Sequence, residues 1–114
     1  MAKLPVETTE NLWHLKRRLL DIVDEATAAE FFLFESFGET DSTIMVLDEL
    51  KDIAEQAASR FSQLSSLQLR VADAQPTVPP DMLELVIQVI AYMQQRVPAL
   101  ERSVEEIKIE WSLP

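Results

Sequence analysis

The chain has 114 residues, 47% of them hydrophobic, and a formal net charge of −10. The hydrophobic share suits a folded core and is too high for a disordered tail, and the length predicts one helical domain over residues 1–114. The absence of cysteine excludes disulfides and thiolate sites, and the acidic surface predicts no binding to nucleic acid or anionic membranes, because both need basic residues.

The first predicted helix spans about residues 9–37. Thr8 or Thr9 is its expected N-cap, because a hydroxyl accepts a hydrogen bond from the first turn. Gly38, the only glycine, is expected to end it, because glycine adopts positive φ angles without strain. Its apolar residues recur at alternating steps of three and four, the heptad pattern of helices that pack side by side: Leu12, Leu15, Leu19, Ile22, Ala26, Ala29 and Leu33.

The end of this helix carries a phenylalanine cluster, with four of the chain's five phenylalanines between positions 31 and 37. A helix advances about 100° per residue, so these rings point around most of its circumference. Residues 44–50 and Trp111 are expected to cover some of them. Phe31 and Phe34 lie off the heptad positions and are expected to stay exposed. Large exposed apolar patches mark interaction sites, so Phe31, Phe34 and Phe37 are predicted to bind a partner.

The second predicted helix spans about residues 43–72, after a turn in which Asp41 or Ser42 is the expected cap. Residues 73–80 then hold three prolines, which exclude a continuing helix. After Leu64 the apolar spacing slips by three residues, through Leu67 and Val71, which locally changes how the helix winds on its neighbours. The heptad positions before that shift are Leu47, Leu50, Ala54, Ala57, Phe61 and Leu64.

The third predicted helix spans about residues 81–111, with Asp81 and Glu84 as a capping box. The apolar register passes unbroken through Pro98, which predicts a helix that is kinked there or restarts in the same direction. Residues 107–111 alternate as a strand does, but the chain offers no strand to pair with, so helix is predicted. Leu85 and Val89 lie near the start of this helix and are the second predicted partner-binding surface. Its heptad positions are Leu83, Val86, Ile90, Met93, Val97, Leu100, Val104, Ile107 and Trp111.

Three long helices joined by one short and one longer connection predict an all-α, up-down-up three-helix bundle. The basic cluster Lys16-Arg17-Arg18 is expected to form ion pairs within the first helix, because acidic residues follow one turn later. His14, the only histidine, lies beside this cluster. Phosphotransfer domains carry a lysine three residues after their histidine and then a glycine, whereas here the lysine follows two residues later and the next residue is not glycine. No cofactor is predicted.

The predicted function is a non-enzymatic protein–protein interaction module, such as an adaptor, an assembly factor or a chaperone-like protein. We expect it to form a homodimer through its apolar helix faces and to bind protein partners with basic or neutral surfaces. A cytoplasmic location is expected, because the chain lacks cysteine and shows neither a signal peptide nor a membrane-spanning run.

The alternative prediction is an all-α, magnesium-dependent nucleotide hydrolase. Asp48, Asp52 and Glu55 share one face of the second helix, and clustered carboxylates of this kind hold Mg²⁺ in all-α nucleotide pyrophosphohydrolases. Such sites need paired acids on at least two helices, and the third helix supplies no clear match. No metal ligand is therefore predicted outright.

Overall fold

The computed structural model describes residues 3–114 and confirms the predicted bundle. Three helices run up, down and up: α1 (Val6–Phe37), α2 (Ile44–Asp73) and α3 (Pro80–Glu110). The bundle is a rod with extents of 56 × 19 × 18 Å. Across the described range, no helix is both long and apolar enough to span a bilayer.

The heptad pattern of α1 forms the centre of the core. All seven of its predicted heptad residues are buried, and Leu12, Leu19 and Leu33 have no solvent exposure. Helix α1 packs most extensively against α2 and less against α3, while α2 and α3 share the smallest interface. Polar contacts cross that smallest interface, from Arg96 Nη2 to Gln56 Oε1 at 2.6 Å and from Arg60 Nη2 to the Tyr92 hydroxyl at 3.2 Å. Helix α1 therefore makes the two larger interfaces of the bundle.

The predicted N-terminal caps are wrong in all three helices. Helix α1 begins at Val6 behind Pro5, and α3 begins with Pro80 behind Pro79, and neither helix has a side-chain cap. Both helices begin earlier than predicted, so Thr8 and Thr9 lie inside the first turn of α1 and Asp81 inside that of α3. Asp81 accepts a hydrogen bond from the N–H of Met82 at 3.1 Å.

The turn between α1 and α2 is built on Gly38 and Thr43. Gly38 has φ 70° and ψ −170°, and its N–H donates to the carbonyl of Phe34 at 2.8 Å. Thr43, 1% exposed, donates from its hydroxyl to the Gly38 carbonyl at 2.8 Å and accepts from the Thr40 N–H at 2.8 Å. The expected caps Asp41 and Ser42 are exposed. The buried Thr43 hydroxyl makes the hydrogen bonds that hold this turn together.

Helix α3 continues through Pro98 as a single helix. Proline removes one backbone hydrogen bond, which leaves the carbonyl of Gln94 without its partner. Gln94 is exposed, so water can satisfy that carbonyl, and the buried register continues from Met93 through Val97 to Leu100. Residues 107–110 are helical, as predicted.

The burial pattern predicts very different costs for truncating two neighbouring residues. Leu33→Ala removes a fully buried side chain and should lower the free energy of unfolding by about 2–5 kcal/mol. Phe31→Ala removes a ring that is 56% exposed and should cost less than about 1 kcal/mol. Urea denaturation followed by circular dichroism measures both values. Equal costs would contradict the position of Phe31 outside the core.

The backbone of Gly38 predicts a penalty for any side chain there. Its φ and ψ lie in a region that is essentially confined to glycine, so Gly38→Ala should destabilise the protein by about 1–3 kcal/mol. A Cβ atom at Gly38 would have no neighbour within 4 Å, so the cost comes from the backbone alone. Glu39→Ala, at an exposed position one residue later, is the matched control, and thermal unfolding of the two variants compares them.

Candidate interaction surface

The phenylalanine cluster lies largely on the surface at the end of α1. Phe31, Phe34 and Phe37 are 56%, 51% and 49% exposed, whereas Leu33 between them is fully buried. Phe31 also packs edge-on against Phe32, with the ring centroids 5.5 Å apart. The expected exposure of Phe31 and Phe34 is thus present in the structure.

Phe31 and Phe34 line one cavity between α1 and α2, which we call the Phe31 pocket. Its volume is about 320 Å³, and it opens to solvent. Both helices contribute apolar walls, and acidic side chains surround them. The residues that line it are Glu30, Phe31, Phe34, Glu39, Ile44, Leu47, Asp48 and Lys51.

One carboxylate in the Phe31 pocket lacks a hydrogen-bond donor. The Oε2 atom of Glu30 is buried, and no donor among the described residues bonds to it. Lys51 Nζ lies 4.0 Å away, at the outer limit of an ion pair, and most of the Lys51 side chain is solvated. A buried carboxylate oxygen without a donor is costly. The Phe31 pocket therefore combines apolar walls with a buried Glu30 oxygen that could accept a hydrogen bond from a cation.

Phe37 has a different environment from the other two predicted residues. Its ring meets the ring of Trp111 edge-on, with centroids 5.3 Å apart and an interplanar angle of 68°. This contact covers part of Phe37 from within the bundle. Phe37 therefore also packs against the end of α3 and does not line the Phe31 pocket.

Leu85 and Val89 lie at the opposite end of the bundle from the Phe31 pocket. The start of α3 is beside the start of α1, because Thr8 and Asn11 line a groove with Ile87 and Ile90. Leu85 is 39% exposed, and Val89 is partly buried against the core. The five predicted partner-binding residues thus form two separate surfaces.

A second pocket between α1 and α2 lies at the other end of α1, and no sequence pattern indicated it. We call it the Lys16 pocket. Its volume is about 490 Å³, and its lining includes His14, Lys16 and Arg17. Two exposed apolar side chains, Trp13 and Leu20, form much of its wall. Glu10 and Phe61 complete its lining.

Lys16 is the most unusual residue of the Lys16 pocket. Only 7% of it is exposed, and its Nζ donates to Gln68 Oε1 at 2.8 Å. The ammonium also lies over the ring of Trp13 at 4.3 Å and over that of Phe61 at 5.0 Å. Such cation–π contacts stabilise a cation that has left bulk water. No carboxylate within the described chain forms an ion pair with Lys16.

The prediction of ion pairs within α1 is therefore wrong for its basic cluster. Lys16 contacts α2, and Arg18 forms a two-pronged ion pair with Glu101 of α3, in which Nε donates to Oε2 at 3.0 Å. This hydrogen bonding raises the pKa of the Arg18 guanidinium above its ordinary value. Arg17 is exposed and makes no ion pair in residues 3–114.

The carboxylates considered for Mg²⁺ do not form a compact ligand group. Asp48 lines the Phe31 pocket, and Asp52 accepts a hydrogen bond from Gln56 at 2.8 Å. In the part of the chain that the structure describes, no three acidic or histidine side chains are grouped closely enough to hold a metal ion.

Comparison of the chain with protein-family models, curated proteins and solved structures gives no match.

The Phe37–Trp111 contact predicts that Phe37 differs from Phe34 in stability measurements. Phe37→Ala should cost about 1 kcal/mol and shift Trp111 fluorescence to longer wavelength, because an edge-on aromatic contact is lost. Phe34→Ala should leave that emission unchanged. Both are measured in a Trp13→Phe background, so that Trp111 alone reports. An unchanged spectrum in the Phe37 variant would contradict the contact.

Proposed function

We propose that the protein is a non-enzymatic interaction module that self-associates through the face formed by α1 and α2. The observation that carries this proposal is the Phe31 pocket, in which two half-exposed aromatic rings border a buried carboxylate oxygen without a donor. A surface of this kind gains from being covered by another protein.

The apolar part of the pocket supplies the driving force for association. Phe31, Phe34 and Ile44 each keep between 42% and 56% of their area in water. Covering apolar area stabilises a complex by about 25 cal/mol per Å² before the costs of association. Aromatic residues that fill pockets at the centre of an interface are also frequent hot spots of binding energy.

The polar part of the pocket defines the chemistry of the occupant. Glu30, Glu39 and Asp48 give the rim a negative charge, and only Lys51 opposes it. A lysine or arginine from the partner would donate to the buried Glu30 oxygen and form a charge-assisted hydrogen bond. The pocket therefore suits a partner surface that places a cation beside an aromatic or aliphatic side chain.

The proposal predicts that Phe34→Glu abolishes self-association without unfolding the protein. The substitution places a charge in an apolar, already acidic pocket, so both burial and electrostatics oppose the complex. In sedimentation velocity at micromolar concentrations, the wild-type sedimentation coefficient should rise with concentration, whereas that of the variant should stay at the monomer value.

Leu69→Glu is the matched control, because Leu69 is 66% exposed and lines neither the Phe31 pocket nor the Lys16 pocket. Its association should equal that of the wild type. A wild-type chain that stays monomeric throughout the concentration range would contradict the proposed function. Circular dichroism of each variant shows that the helices are retained.

A further inference from the structure

The Phe31 pocket and the Lys16 pocket lie on one side of the rod. Trp13 and Phe31 are separated by 31 − 13 = 18 positions, as are Lys16 and Phe34. Eighteen residues make about five complete helical turns, so each pair lies on one line along α1, with a rise of about 27 Å. Helix α2 completes both pockets, with Phe61 at one and Ile44 and Leu47 at the other.

The two pockets are opposite in charge and alike in their apolar content. The Phe31 pocket has three carboxylates and one lysine, whereas the Lys16 pocket has one lysine, one arginine, one histidine and one carboxylate. Exposed Trp13 and Leu20 stand beside the cations, as exposed Phe31 and Phe34 stand beside the carboxylates. The chain thus carries, on the same face, the cation and apolar side chain that suit its own Phe31 pocket.

We propose that the occupant of the Phe31 pocket is the Lys16 pocket of a second copy, in an antiparallel dimer formed through the α1–α2 faces. This inference rests on the proposed self-association and adds its geometry. A two-fold axis that lies in the interface, perpendicular to the rod, sets each acidic pocket against the basic pocket of the other copy. Two-fold interfaces use one surface patch twice, so a patch with opposite charges at its two ends is complementary to itself.

The positions along α1 agree with this arrangement. If Trp13 lies opposite Phe31 of the second copy, the axis passes position 22, and position n lies at the same height along the rod as position 44 − n of that copy. Then Arg17 lies within one helical turn of Asp24 of the second copy. The middle of α1, which spans Val6–Phe37, is at 21.5. The pairing that joins the pockets therefore also overlaps α1 along its whole length.

The size of the face is sufficient for a stable dimer. The rod is 56 Å long and 19 Å wide, so one side offers about 1,000 Å², against about 800 Å² per partner in a standard interface. A parallel pairing would instead place cations against cations and carboxylates against carboxylates. Like charges placed opposite each other repel, so the parallel pairing is disfavoured.

Charge reversal tests the arrangement. Arg17→Glu and Asp24→Arg each alter an exposed side chain that has no side-chain hydrogen bond or ion pair in the described structure. Each single variant should raise the dimer dissociation constant about tenfold, because one attraction becomes a repulsion in each half of the interface. The double variant restores opposite charges and has the wild-type net charge. Its dissociation constant should return to within about threefold of the wild type.

Arg102→Glu and Glu105→Arg are matched controls, since they make the same changes of net charge at exposed positions on α3. Sedimentation equilibrium should give both the wild-type dissociation constant. Single variants that strengthen association would indicate a parallel pairing and overturn the inference. Single variants that behave like the controls would overturn it too, while loss of association in Phe34→Glu alone would leave the proposed function intact. A monomeric wild-type chain would contradict both.

Discussion

The burial of one stripe of α1 between two neighbours determines the rest of this structure. The stripe runs from Leu12 to Leu33 and faces both α2 and α3, which share the smallest of the three interfaces. Apolar residues of α1 outside this stripe are less covered by the described part of the chain. Trp13 and Phe31, which border α2, remain half exposed.

The core was predictable because it follows from local periodicity, and the topology was predictable from the lengths of the two connections. Alternating steps of three and four place residues on one side of a helix whatever the neighbours are, and every heptad position of α1 is buried. Helix α2 departs from the predicted heptad positions at two residues. Ile53, which is not one of those positions, is buried in the core, whereas Phe61, which is one of them, is half-buried and lies beside Lys16. The capping residues were predicted wrongly because α1 and α3 begin directly after Pro5 and Pro79, so Thr8, Thr9 and Asp81 lie inside the helices.

The two pockets differ in how far the sequence could indicate them. The exposure of Phe31 and Phe34 follows from their angular position on α1, so the Phe31 pocket was partly foreseeable. The Lys16 pocket was not, because Lys16 meets Gln68 and Phe61 from another helix, and Gln68 is 52 positions away in the chain. From the sequence alone, a lysine in a run of basic residues is expected at the surface. Only the packed helices show that this lysine is buried between aromatic rings.

The small interface between α2 and α3 also sets the order in which the bundle opens. Helices α1 and α2 share the largest interface and are joined by a turn that the buried Thr43 hydroxyl holds together. Helix α3 is attached mainly through α1, so its release disrupts few contacts with α2. Regions with few buried contacts open first in native-state fluctuations. Amide protons of α3 should therefore exchange through a partly unfolded form in which the α1–α2 hairpin persists.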